Sequence, residues 1–267
     1  MNSTLKSMRT VAACISFMLA ILTIVLLNIS LPNDSSAAPF LINKINGEVD
    51  YIAVQNLMWV VFYLGLAELS VRYAFVRTQE NEDKQVRQAY AHSRGKNEDS
   101  DSSFGEIEKP SLLTKHDMAG IYAKVSPFHG ILAEMLKSLA LHYQAVGNLG
   151  TTQSLLEAER EITDNNIDQG YNFLRYAIWL LPTLGFIGTV WGILLALQTA
   201  AQGGEQINIP EVVADMSTAF WTTLLALLMS SVIMFFMHII QGREEIYLNN
   251  CYRYCIKNFI SRLYVHQ

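Results

Sequence analysis

The sequence predicts an all-α integral membrane protein with four transmembrane helices, the last two of which are extended by long cytoplasmic helices. The 267 residues are 51% hydrophobic and only 16% charged, whereas soluble domains are about 25% charged. Each of four apolar runs reaches the roughly 20 residues that a helix needs to cross a bilayer. These runs lie at 11–31, 52–71, 176–200 and 219–240. Basic residues are concentrated in alternate connecting segments, as in multi-pass membrane proteins.

The first run follows a short basic lead that contains Lys6 and Arg9. A secretory signal peptide begins in the same way, and the small residues of SSAAPF after the run would suit a cleavage site. The apolar run is longer than the roughly 7–15 residues of a signal-peptide core, which favours an uncleaved span. The second run ends beside Glu68 and Arg72, which are four residues apart and are expected to form an ion pair.

The distribution of Lys and Arg predicts that both termini are cytoplasmic. Lys44 is the one basic residue of the loop 32–50, and the loop 201–211 has none. The other segments are basic near the span ends. Their basic residues are Lys6 and Arg9, then Arg72, Arg77, Lys84 and Arg87, and in the tail Arg243, Arg253, Lys257 and Arg262.

Composition divides the chain into five predicted segments. The charged, Ser-rich stretch 77–110 has too few aliphatic residues to bury a core and is expected to be a flexible linker. A helix capped by Thr151 or Thr152 is predicted to run without interruption into the third span. The segments are 1–76 with the first two spans and a short periplasmic loop, 77–110 as linker, 111–175 as a cytoplasmic helical domain, 176–241 with the channel-lining third and fourth spans, and 242–267 as a cytoplasmic helix.

Small residues are concentrated on one face of the third span. On a helical wheel, four of them lie within about 60° of Thr189. A face of this kind lets another backbone approach closely, and ordinary helix packing in membranes uses it as well. For ordinary packing, Gly188 and Gly192 alone would suffice. The face consists of Pro182, Gly185, Thr189, Gly192 and Ala196.

The fourth span has a matching face of small and hydroxyl-bearing residues. A single threonine indicates little, because its hydroxyl can bond to a carbonyl four residues earlier. Two matched faces on neighbouring spans indicate instead a polar lining around another protein's helix, with room for water or a partly dehydrated cation. Asp215, Thr218, Thr222 and Ala226 share this face, and Ala219, Thr223 and Ser230 adjoin it.

The apolar parts of both spans lack an ionisable residue. No Asp, Glu, His, Lys or Arg lies between Tyr176 and Thr199, or between Thr218 and Met237. Proton and sodium relays need an ionisable group at this depth. If the chain lines an ion pathway, another subunit must therefore supply the acid.

Composition also argues against several other classes of protein. The net charge of −5 does not suit nucleic-acid binding. Cys14, Cys251 and Cys255 are too few for a disulfide scaffold. A metal or redox site at Cys251 and Cys255 lacks further ligands, so buried or idle thiols are favoured. A membrane thiol oxidase would need cysteine pairs in the outer loops 32–50 and 201–211, which have none. We expect no enzymatic activity, no bound metal and no organic cofactor.

Two segments resemble the MotA/TolQ/ExbB family, the ion-channel subunits of bacterial rotary stators and energisers. They are GFIGTVWGI at 185–193 and MSTAFWTTLLALLMSS at 216–231. The Gly-Thr-Val-Trp-Gly string is typical of the TolQ/ExbB branch. The resemblance covers about residues 150–240. The two additional amino-terminal spans agree with the MotA branch, because TolQ and ExbB have three spans.

The resemblance implies a homopentamer in the bacterial inner membrane that surrounds two helices of a bitopic partner, in a 5:2 ratio. The partner would be similar to ExbD, TolR or MotB, and its membrane aspartate would carry H⁺ or Na⁺. The function implied is an ion-driven motor subunit that couples cation flow to mechanical work. A non-conducting scaffold of the same fold is the alternative.

The family's motifs assign roles to individual positions. Thr189 and Thr223 match the family's threonines, and Thr222 adds a hydroxyl as in sodium-driven flagellar relatives. Thr218 stands where TolQ and ExbB carry a glutamate, so Asp215, one turn nearer the outer mouth, is expected to attract cations instead. The residues expected to pack against the partner helices are Pro182, Gly185, Gly188, Gly192, Ala196, Ala219 and Ala226, the last of which replaces a usual glycine.

Overall fold

The computed structural model describes residues 3–30, 44–45, 48–49, 54–92, 113–202 and 209–263. These residues are nearly all helical, which agrees with the predicted all-α class. A short antiparallel hairpin, β1 (Lys44–Ile45) with β2 (Glu48–Val49), is the exception among them. The helices are α1 (Ser3–Ser30), α2 (Val54–His92), α3 (Asp117–Val125), α4 (Ile131–Val146), α5 (Leu149–Gly170), α6 (Asn172–Gln202) and α7 (Ile209–Asn258), followed by a 3-10 turn at Ile260–Arg262.

Three helical segments within the described residues are long and apolar enough to cross a membrane. They lie at Val54–Tyr90, Leu149–Ala201 and Val212–Arg262, and they contain the second, third and fourth predicted spans. The corresponding apolar part of α1, Thr10–Leu26, is shorter. The chain is therefore a membrane protein by the length and composition of these helices. The first span stays a prediction.

The chain divides into two compact units. The first consists of Met1–Tyr73 and Tyr171–Ile240, and so contains α1, the first part of α2, α6 and most of α7. The second consists of Ala74–Gly170 and Gln241–Gln267.

Polar contacts at two places join helices within the first unit. Thr23 of α1 and Tyr63 of α2 share a hydroxyl–hydroxyl hydrogen bond of 2.8 Å. Near the end of this part of α2, Arg72 Nε lies 3.7 Å from Glu68 Oε1, which confirms the predicted ion pair. The Arg72 guanidinium also lies 4.2 Å from the centre of the ring of Tyr171, a cation–π contact.

The predicted uninterrupted helix into the third span is interrupted at one residue. α5 ends at Gly170 and α6 begins at Asn172, with Tyr171 alone between them. Glycine weakens a helix by about 1 kcal/mol relative to alanine, which explains why the break falls here. The Tyr171 side chain is fully buried.

The start of α5 also differs from the prediction. Asn148, rather than Thr151 or Thr152, caps this helix: its Oδ1 accepts hydrogen bonds from Gly150 N at 2.8 Å and Thr151 N at 3.4 Å. Asparagine is among the best residues for satisfying the unpaired N–H groups of a first turn. Gly147, at φ 69°, ends the preceding helix α4 in the left-handed conformation that glycine favours.

The prediction of a flexible linker is wrong for residues 77–92, which continue α2 to His92. Val86 and Tyr90 are buried, and Tyr90 donates a hydrogen bond of 2.8 Å from its hydroxyl to Asn258 O in the last turn of α7. These residues follow a helical spacing that the high charge of the stretch conceals. Residues 93–110 lie outside the described part of the chain.

A buried carboxyl lies on the same face of α2. Asp83 is 7% exposed, and Arg87 donates to its Oδ2 at 2.8 Å from Nε. Burial raises the pKa of Asp83, and the charge of Arg87 opposes this increase only in part. A carboxyl with a raised pKa in the folded chain stabilises the fold below its unfolded pKa of about 3.9. This contribution is lost as the pH rises through the folded pKa.

Asp83→Asn is therefore expected to raise the free energy of unfolding at pH 8 by about 1 kcal/mol and to weaken its dependence on pH. The lost hydrogen bond from Arg87 limits the gain. Arg87 keeps its contact with the Tyr254 ring, 4.5 Å from the ring centre. Denaturant unfolding of the full chain in detergent at pH 5 and pH 8 measures the effect. The exposed Asp164→Asn on α5 is the control. Destabilisation by Asp83→Asn at pH 8 would contradict this prediction.

Candidate ion-pathway site

Helices α6 and α7 approach each other closely in the first unit, and glycines of α6 make the approach possible. A Cβ added to Gly192 would lie 2.5 Å from Ala219 Cβ and 3.1 Å from Ala219 Cα. One added to Gly185 would lie 2.6 Å from Ala226 Cβ. Distances this short leave no room for any side chain larger than hydrogen. The small faces of the two spans thus meet within one chain, as in other membrane helix pairs.

Two threonines join the helices at the centre of this seam. Thr189 Oγ1 forms a hydrogen bond with Thr223 Oγ1 across the two helices. Thr189 Oγ1 also lies 3.1 Å from Gly185 O and 3.3 Å from Ala219 O, and Thr223 Oγ1 lies 3.0 Å from Gly185 O. Both side chains are half-buried, so one side of the pair is open to the outside of the chain.

The other two predicted pathway threonines bond within their own helix. Thr222 donates to Ala219 O at 2.7 Å and is buried, with its Oγ1 2.8 Å from the position of a Cβ on Gly188. Thr218 donates to Ala214 O at 3.1 Å and is half-buried. Their hydroxyl protons satisfy helical carbonyls, and their oxygens remain as acceptors.

Asp215 lies near the other predicted pathway residues along α7, and it has a partner that the sequence did not indicate. Thr199 of α6 donates to Asp215 Oδ2 at 3.0 Å. Thr199 is the last hydroxyl of its span, and Asp215 is the first acid of the described part of the next helix. That spacing is the sequence signal that could have identified the pair.

Ser230 forms a further bond across the seam, because its hydroxyl donates to Ile178 O of α6 at 2.9 Å. The sequence placed Ser230 beside the polar face without giving it a role. Cross-helix hydrogen bonds therefore join α6 and α7 at three levels, through Asp215, Thr223 and Ser230.

The residues predicted to pack against a partner helix lie in or beside this seam. Pro182 is half-exposed and Ala196 is buried. Their contact with a second protein stays a prediction, because the contacts described are those of a single chain. The other predicted residues, Gly185, Gly188, Gly192, Ala219 and Ala226, form the closest approaches between α6 and α7.

The cysteines of α7 lie outside the apolar stretch and are unsuited to chemistry. Cys251 and Cys255 are free and buried, which confirms the prediction for these thiols. Burial raises the pKa of Cys251 to about 12 and also raises the pKa of Cys255. A thiol with such a pKa carries almost no nucleophilic thiolate at neutral pH. Among the described residues, no group of three His, Cys, Asp or Glu side chains has the arrangement of a metal site.

Comparison with known families agrees with the resemblance seen in the sequence. The model of the MotA/TolQ/ExbB proton channel family matches residues 123–251, a range that contains all of α6 and most of α7. The match thus includes the three cross-helix contacts and the glycine seam. No curated protein and no solved structure matched the chain.

Proposed function

Because residues 123–251 belong to the MotA/TolQ/ExbB proton channel family, we propose that the chain is the channel subunit of an ion-driven motor of the bacterial inner membrane. The family supports an energiser subunit of the ion-channel type in general. The narrower proposal is that inward flow of H⁺ or Na⁺ drives mechanical work through a bitopic partner subunit. Five copies would surround two partner helices, with four spans in each copy and both termini in the cytoplasm.

The hydroxyl pair of Thr189 and Thr223 is the observation that carries this proposal. It lies between two apolar helices whose central parts lack an ionisable residue, and it is half-exposed rather than enclosed. Two hydroxyl oxygens and the carbonyls of Gly185 and Ala219 form a cluster of oxygen atoms at one place. Oxygen atoms of this type can replace part of the water shell of a cation.

The missing acid supports the proposal of a partner. A cation crossing the bilayer centre needs a nearby carboxylate, and neither α6 nor α7 supplies one between Tyr176 and Thr199 or between Thr218 and Met237. A partner helix similar to that of ExbD, TolR or MotB would bring an aspartate to the open side of the Thr189–Thr223 pair. Each cation would then deliver about 2.3 kcal/mol per 100 mV of membrane potential.

The alternative is a scaffold of the same fold that does not conduct. The glycine seam favours this alternative to the extent that close packing of α6 and α7 needs no ion. A scaffold does not need Thr189 and Thr223 to remain half-exposed, however, because fully enclosed hydroxyls would join the helices equally well. We therefore favour the conducting subunit.

Reconstitution tests the proposal directly. The chain is purified with its bitopic partner, the subunit ratio is counted by mass, and the complex is placed in vesicles that contain a pH-sensitive or a Na⁺-sensitive dye. We expect five copies to two and cation uptake that requires both proteins and an imposed potential. Vesicles with the chain alone are the control. A chain that binds no partner, or a complex that takes up neither cation, would contradict the proposal.

A further inference from the structure

We propose that Thr199 is a positioning residue that fixes the Asp215 carboxylate as the first cation contact at the outer end of the pathway. This inference deepens the proposed function and rests on it. Thr199 lies in the last turn of α6, which ends at Gln202, and Asp215 lies in the second turn of α7, which begins at Ile209. The hydrogen bond from Thr199 Oγ1 to Asp215 Oδ2 measures 3.0 Å.

The direction of this hydrogen bond distinguishes Thr199 from other hydroxyl residues of the spans. Thr183 donates to Trp179 O at 2.9 Å, Thr218 to Ala214 O and Ser231 to Leu227 O, each within its own helix. Such bonds occupy a hydroxyl without fixing a neighbour. Thr199 donates instead to a side-chain oxygen on the next helix, so its effect is to restrict the rotation of the Asp215 carboxyl group.

The position of Asp215 gives that restriction a use. Asp215 precedes Thr218 by three residues and Thr222 by seven, so the three side chains lie on one face of α7. Asp215 and Thr218 are half-buried, which leaves the carboxylate accessible from outside the chain. A negative group at the entrance of a pathway attracts cations, and it does so best when its orientation is fixed in advance. Thr199 satisfies one oxygen of the carboxylate and leaves the second oxygen to receive the cation.

The test measures cation uptake by the complex in vesicles as a function of the outer cation concentration. Thr199→Val is expected to raise the half-saturating concentration by about 3- to 10-fold, because it removes one hydrogen bond to a charged group. The maximal rate should stay near that of the parent chain. Thr199→Ser keeps the hydroxyl and should behave as the parent does. Thr183→Val is the matched control, since it removes a hydroxyl from the same helix without contact to Asp215.

Asp215→Asn separates positioning from a structural role. It should raise the half-saturating concentration at least as much as Thr199→Val, and adding Thr199→Val to it should change nothing more. A further loss in the Asp215→Asn background, or failure of Thr199→Ser, would show that Thr199 acts by packing and overturn the inference. An unchanged half-saturating concentration in Asp215→Asn would overturn it while the proposed function stands. Absence of uptake by the parent complex would reject both proposals.

Discussion

Replacing Thr223 by valine is expected to lower the rate of cation uptake at least about 100-fold, while the chain still folds and assembles. Valine fills nearly the same volume, but it cannot donate to Gly185 O, now at 3.0 Å, or bond to Thr189 Oγ1. Removal of one positioned hydrogen-bonding group from a water-poor site typically has an effect of this size. Uptake in vesicles and the subunit count of the purified complex are the two measurements.

The control for Thr223→Val is Ser231→Ala, which removes a hydroxyl that donates only to Leu227 O at 2.8 Å on the same helix. This control should conduct at the rate of the parent chain. Thr189→Val should match Thr223→Val, and the double variant should be little worse than either single one because both residues belong to one cluster. If both single variants conduct normally, the assignment of this pair to the ion pathway is wrong.

Replacing Gly192 by valine is expected to prevent stable packing of α6 against α7. Even alanine would place its Cβ 2.5 Å from Ala219 Cβ and 3.1 Å from Ala219 Cα, so the helix backbones must separate. Overpacking of one carbon atom typically costs about 1–3 kcal/mol, and valine adds two more. We expect a strongly lowered unfolding temperature in detergent for Gly192→Ala and loss of folded protein for Gly192→Val.

Two further variants make the result specific to the seam. Gly242→Ala introduces a Cβ that meets nothing within 4 Å, so the unfolding temperature should stay the same or rise. Ala219→Gly removes the methyl group that a Cβ at position 192 would strike, and it should restore much of the stability of Gly192→Ala. Equal stability of Gly192→Ala and the parent chain, or no rescue by Ala219→Gly, would show that the two helices are not packed through this contact.

The sequence predicts the membrane helices well because a bilayer demands long apolar runs that are visible without any partner residue. It predicts less where a helix is stabilised by distant contacts. Residues 77–92 are too charged to suggest a buried face, and their helix is stabilised by contacts such as that of Tyr90 with Asn258 O. The break at Tyr171 likewise depends on tertiary burial, which local propensity does not reveal.

The candidate site shows the same division. The wheel predicts that Thr189 and Thr223 lie on the small faces, and the seam brings these two residues together. The periodicity of one helix cannot show which hydroxyl turns toward a neighbouring helix, and for this reason Thr199 was missed. The same limit applies to Gly188, Gly192 and Ala219, for which the sequence left open whether a partner helix or α7 itself would occupy the small face.

The cluster formed by Thr189 and Thr223 has two hydroxyl hydrogens and more than two acceptors, among them Gly185 O and Ala219 O. Several arrangements of the same bonds are therefore open to it without any displacement of the main chain. Changing from one to another needs only a turn of each hydroxyl about its C–O bond, a motion of the same kind as picosecond-to-nanosecond side-chain rotations. A visiting cation would thus meet oxygen atoms that reorient far faster than any subunit can rotate.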